Sequence, residues 1–473
     1  MSATHDVELI AHLLRRAGFG ANRDELEAYA AKGYEATVEE LLHPEDQPPF
    51  ADDLTYRYFP YFRLGTAIGT QQSHWMLRLI STNRPLEEKM TLFWHHVFAT
   101  GFSKVENAPD MNQQIEMLRC YGMGDFRTLL VKLSQDPAMI FWLDNCENHK
   151  GAPNENYGRE LLELFSMGVG MEGTPNYTEE DVKQCARAFT GWTIAPGLPR
   201  YPYGEFLREF EYLSDDHDDS EKVFLGQQGR FNGEDIIDII CRQPATARFI
   251  SRHLYNFFVA DEPQVPAWQS NPPQDLEAIK KLEQEYFRSG YDIRSMLRVL
   301  FNSDFFKNSR FTKVKSPAEL VAGVMRLVDD YTSPKPKVHE IAAACGFMGQ
   351  ELLNPPTVEG WHTGREWIDS GALVERINFA ADQVGDLTKP GIRRIVERLS
   401  ALGPKMTPEE LVEGCLELAG YVPVSPNRRQ ELIAHVQSGG DLRCGTPEEQ
   451  EAFGHQVTRL LQLIVSSREY QFA

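Results

Sequence analysis

Long apolar runs are missing from this chain. No uninterrupted hydrophobic stretch approaches the roughly 18 residues a membrane-spanning helix needs, and mean hydropathy is −0.41, so membrane insertion is not expected. Positive charge is short as well: 48 Lys and Arg face 69 Asp and Glu, a net charge of −21. A field of that sign repels phosphate backbones and anionic surfaces, and nucleic acid is not an expected partner. Cysteine is sparse. The seven (Cys120, Cys146, Cys185, Cys241, Cys345, Cys415 and Cys444) are odd in number, widely spaced and form no CxxC, which argues against a disulfide framework or zinc knuckle and fits a reducing compartment. The stretch Met1 to Glu8 lacks a basic segment followed by an apolar one, so a cytoplasmic location is the expectation. Phosphate loops, HExxH, GxSxG and EF-hand patterns are absent. Gly168 to Gly173 matches GxGxxG in form, but it follows a helix where a dinucleotide site needs a strand, and reads as a helix end and turn.

Helical periodicity is what the chain has in abundance. Val7, Ile10, Leu13, Leu14 and Ala17 recur at 3–4 spacing, and similar patterns predict helices over most of the 473 residues. Cap signals mark several starts: Asn22, Thr178 with Asp181, Ser316-Pro317, and Thr407 with Glu410. Strand candidates are few. Breaks are rich in Pro and Gly, at 195–204, 261–273 and 333–336, and the first two are long enough for lids or rim loops. The expected architecture is all-α: one large multi-helix unit over 1–473 with long Pro/Gly-rich loops and few or no strands. The break at 333–336 offers a subdivision into a 1–332 core and a 337–473 C-terminal helical section.

Three polar stretches carry chemistry-bearing residues. In Asn154 to Phe165, helical geometry puts Asn156, Arg159, Glu160 and Glu163 on one face and Tyr157, Leu161 and Leu164 on the other. A solvated polar face explains that spacing; so does a carboxylate, amide and guanidinium cluster lining a cleft, where paired carboxylates serve as acid and base or hold a cation. In Glu87 to Phe98, His95 and His96 diverge by about 100°, so each would act singly, as boundary residue, general base or metal ligand. In Ser214 to Lys222, His217 sits in an acidic run with Asp218, a solvated loop, a His-Asp pair or an oxygen-rich cation site. Trp192 and Trp361 lie in Gly/Pro-rich breaks, as core plugs or as platforms for a sugar or aromatic ring.

Taken in order, these segments resemble a known family. His12 to Gly20, Phe93-Trp94-His95-His96, Leu143-Asp144-Asn145, Asn154 to Phe165, Tyr177 to Val182, Ala186 to Trp192, His217-Asp218, Pro355-Pro356 with Gly360-Trp361, and Ser467 to Gln471 are together similar to the bacterial domain of unknown function 1800 (DUF1800). The resemblance spans nearly the whole chain but transfers no catalytic assignment. It implies a partner, because genes of this family often neighbour those of DUF1501, which resembles alkaline-phosphatase-type proteins. It also implies export for many relatives, against the cytoplasmic expectation here. A signature built from Asn, Glu, Arg, His, Asp and Trp favours a polar site over pure packing. The leading expectation is a hydrolase of a polar small molecule or polymer, carbohydrate-type included. Glu155, Glu160, Glu163, His95 and His217 would serve as catalytic groups, and Arg16, Asn154, Asn156, Arg159, Trp192 and Trp361 would bind substrate. The alternatives are a divalent-metal-dependent enzyme with His96 and Asp218 as ligands, and a non-catalytic partner or escort of a DUF1501-like protein.

Overall fold

Side-chain caps set where the helices begin. In the computed structural model, which describes residues 2–65, 67–195, 207–440 and 442–473, Asn22 Oδ1 accepts the Glu25 N–H at 3.0 Å while Glu25 accepts the Asn22 N–H at 2.8 Å. That reciprocal pair opens helix Arg23–Lys32. The same device opens Glu179–Ala188 through Thr178 and Asp181, Pro317–Val328 through Ser316 and Glu319, and Pro408–Leu418 through Thr407 and Glu410. Each cap contributes about 1 kcal/mol.

The described residues form 25 α-helices and three two-stranded antiparallel hairpins, so the all-α expectation holds. The hairpins pair Gly170–Met171 with Thr174–Pro175, Trp192–Ile194 with Phe210–Tyr212, and Lys222–Phe224 with Gln227–Gly229. The GxGxxG segment follows helix Asn156–Glu163, as expected, but it builds the first hairpin and not a helix end alone: Gly170–Met171 is its first strand, with Gly168 and Gly170 at φ +70° and +96°. The Pro/Gly-rich stretch expected as a lid, 196–204, lies outside the described residues. All seven cysteines are free, and no described helix is long and apolar enough to cross a membrane.

One helix of ten residues escapes the periodic pattern. Val338–Phe347 buries Val338, Ile341, Ala342 and Cys345, but only His339 and Glu340 mark its other side as polar, so the contrast between faces is weak. It packs on Ile68–Ser81, and Ser370–Val384 packs on Pro317–Val328, so elements on the two sides of 333–336 touch. Helices Pro85–Val97, Pro244–Phe258 and Pro317–Val328 are buried over most of their length. The first and third are joined inside the core, where Lys89 is ion-paired to Glu319 and also donates to the Gly18 carbonyl at 3.0 Å. The first two position the candidate site.

Candidate functional site

Helix Asn156–Glu163 divides its polar face between structure and chemistry. Arg159 is occupied: it donates to both Glu179 oxygens at 2.9 and 2.7 Å and to Glu155 at 3.1 Å. Asn154 shapes the helix entry. Its N–H donates to Asn148 Oδ1 at 2.9 Å and its Oδ1 accepts the Asn156 N–H at 3.0 Å, while Asn156 Nδ2 reaches Asp144 at 3.2 Å. Glu160 differs. It is half-buried, and burial, reinforced by repulsion from Glu163 and Glu359, pushes its pKa up to about 7 against the opposing pull of Arg159. Glu163 accepts the Tyr177 hydroxyl at 3.3 Å.

The adjacent histidines have opposite surroundings. His95 is fully buried between Trp75 and Trp361, ring centroids 5.6 and 5.2 Å away in edge-to-face geometry. Neither of its nitrogens has a hydrogen-bond partner among the described residues, and burial pushes its pKa down to about 3. Neighbouring Glu88 is committed to Trp75 Nε1 at 3.0 Å and Arg119 Nε at 2.7 Å. His96 is only half-buried and lies nearly parallel to Trp361, 6.3 Å between centroids. Burial and the nearby Lys313 ammonium lower its pKa to about 4. Gly360 makes this packing achievable: a Cβ there would sit 2.6 Å from the His96 carbonyl oxygen and 2.8 Å from Nδ1, and its φ is +91°.

A second imidazole faces the same space. His253, on Pro244–Phe258, is 6 % exposed, is held neutral by burial and by His96 and Arg252, and its Nε2 has no partner among the described residues. His96, His253, Asn256 and Thr363 line two adjoining recesses of about 20 and 30 Å³, each with room for a water-sized molecule. Glu359, Trp361, Trp268 and Leu164 complete the first; Lys313, Gln350 and His362 the second. Glu359, on the wall of the first recess, is also close enough to Glu160 to help raise its pKa, which brings the raised carboxyl near that wall.

Other expected residues lie elsewhere. Arg16 is buried under different contacts, its Nη2 donating to the carbonyls of Val259 and Ser309 at 3.1 Å each. Trp192 plugs the core between Phe189 and Phe210, its Nε1 donating to Asn232 at 2.8 Å. His217 is buried with Nδ1 donating to the Thr190 carbonyl at 2.9 Å. Asp218 is held by Arg187 at 2.7 Å, which keeps its carboxyl well ionised, and Asp216 accepts His149 Nδ1 at 2.6 Å. His96 and Asp218 therefore belong to different surroundings, and among the described residues no three His, Cys, Asp or Glu side chains gather as metal ligands.

His253, Asn256, Trp268 and Glu359 were not singled out from sequence. One signal was present for His253: it shares a helix face with Phe249, Ile250 and Phe257, a polar ring on an apolar stripe. Glu359 directly precedes the Gly360-Trp361 pair that did stand out.

The fold is all-α, and its recess is lined by two imidazoles that burial holds neutral. The family model described as "Protein of unknown function (DUF1800)" matches residues 12–472, and the chain belongs to that family. No curated protein matches it, and no solved structure does.

Proposed function

We propose that the chain is a hydrolase whose site is the His96/His253 recess together with Glu160. One arrangement carries the reading: two imidazoles that burial holds neutral line one water-sized space, and its wall includes Glu359, which helps raise the Glu160 pKa to about 7. A group lowered to about 4 and one raised to about 7 are the base and acid that hydrolysis needs, both in the competent form between those values. In the reaction, the oxygen of a water in the recess attacks the electrophilic carbon of the substrate. His96 takes the proton from that water, and Glu160 gives its proton to the departing oxygen. His253 and Asn256 orient the water, and Trp361 holds the His96 ring in place.

The substrate expectation remains a polar bond, ester or glycoside, in a small molecule or polymer. The test is a panel of chromogenic carboxylic esters and glycosides with the purified full chain. At least one class should turn over. His96→Asn and Glu160→Gln should each lower kcat/KM by about 10²–10⁴-fold, while His95→Phe and His217→Asn retain most activity. Turnover that His96→Asn and Glu160→Gln leave intact would refute the assignment.

A further inference from the structure

A cavity of about 750 Å³ opens next to the recess and shares two residues with it, Val265 and Trp268. Its size suits a small-molecule ligand. The walls come from the segment after helix Asn156–Glu163 and the hairpin that follows it, from Pro244–Phe258, and from Leu276–Arg288. They are mostly apolar, with Met167, Met171, Phe249, Trp268, Leu276 and Ile279 the larger contributors. Leu276 and Met171 are 64 % and 40 % exposed, an apolar surface left open to solvent at the rim. A bare carbohydrate, whose hydroxyls need partners on every side, does not match such walls.

The charges in this groove run against the rest of the molecule. On a chain of net charge −21, the groove presents Arg248, Arg252 and Lys280 against one carboxylate, Glu283. Arg248 is paired to Glu283 at 2.9 Å and Arg252 to the buried Glu262, which leaves Lys280 as the cation outside a pair among the described residues. Trp268 is the partition between the two spaces. Its ring lies 4.8 Å from His253 and 5.5 Å from Phe249, with the Arg252 guanidinium 4.3 Å from its centroid.

We infer that this groove binds an amphiphilic anion, an acyl or aryl chain carrying a carboxylate, and that it is the substrate-binding arm of the recess. The apolar chain lies along Phe249, Leu276 and Ile279, the carboxylate meets Lys280 and Arg248, and the reacting bond reaches His253 and His96 past Trp268. The role as a substrate arm rests on the hydrolase reading; the binding itself does not.

The experiment is a fluorescence titration of the full chain with dansyl-labelled undecanoate and, in parallel, with the matching undecanol. Saturable binding of both is expected. Lys280→Glu should weaken the carboxylate about tenfold and leave the alcohol unchanged, and Leu276→Gln, uncharged and at an exposed position that tolerates a polar side chain, should weaken both about tenfold. Glu160→Gln should bind the probe as the wild type does. No saturable binding, or binding indifferent to both groove substitutions, overturns the inference. Probe binding without turnover of any hydrolase substrate supports the groove and removes the hydrolase. Turnover of short esters without probe binding removes the groove alone.

Discussion

Glu160 shows how little sequence separates an ion-paired carboxylate from one whose pKa burial raises. Glu155, five residues earlier, is tied to Arg159, whereas Glu160 has burial and two carboxylates against it. The consequence for stability follows from linkage. A carboxyl whose pKa rises from 4.5 to about 7 on folding contributes stability below pH 4.5, and that contribution is lost as pH rises through 7. Glu160→Gln cannot ionise, so its Tm should gain on the wild type between pH 4.5 and 7 and hold a constant margin above. Scanning calorimetry at four or so pH values reads this directly; a margin that does not change with pH would place Glu160 in an ordinary solvated setting. The paired histidines teach the same lesson. The 100° divergence on a helix was legible, and it sends His95 into an aromatic box and His96 to the recess. Which of them kept access was not legible, because it depends on Trp361, 265 residues away in the chain.

At the scale of elements, periodicity and caps located most helices to within a few residues, since an amphipathic stripe and an Asn, Ser or Thr cap are local signals. Helix Val338–Phe347 and the short hairpins were missed for a physical reason: only His339 and Glu340 mark the helix's polar side, and the strands are two or three residues long. Candidate residues fared by the same rule. Glu160 and His96 lie on strongly patterned helices, whereas His253 and Glu359 acquire meaning only through long-range packing. The pin between elements is also non-local. Lys89 and Glu319 form a buried ion pair that joins Pro85–Val97 to Pro317–Val328. Lys89→Met leaves the Glu319 carboxylate buried without its main partner and should cost about 3–5 kcal/mol in urea unfolding. The double variant with Glu319→Gln should recover a large part of that. A single variant as stable as the wild type would show that the pair contributes nothing.

For the whole molecule, the acidic excess is a property of the surface. The net charge is −21, yet buried cations such as Arg16, Lys89 and Arg376 are nearly matched by buried carboxylates such as Glu88, Glu262 and Glu319, and the large groove is locally cationic. Composition alone indicated repulsion of polyanions; the arrangement adds a small region that attracts a single anion. Contacts also cross the 333–336 break: Arg398 reaches Asp24 at 2.6 Å and Glu27 at 3.0 Å, Lys315 N–H donates to the Gln471 carbonyl at 2.9 Å, and Val314 bridges Phe472. We therefore expect the chain to unfold as one unit, with circular dichroism and tryptophan fluorescence tracing coincident transitions. Two separated transitions would instead divide it near residue 333.

The pH dependence of kcat/KM on whichever panel substrate turns over is the measurement closest to the central claim. With His96 as base and Glu160 as acid, the profile should be a bell with limbs near pH 4 and pH 7, the alkaline limb marking loss of the Glu160 proton. Glu160→Gln should lower the rate and abolish that limb. A profile flat through pH 7, or an alkaline limb that survives in Glu160→Gln, would contradict the assignment.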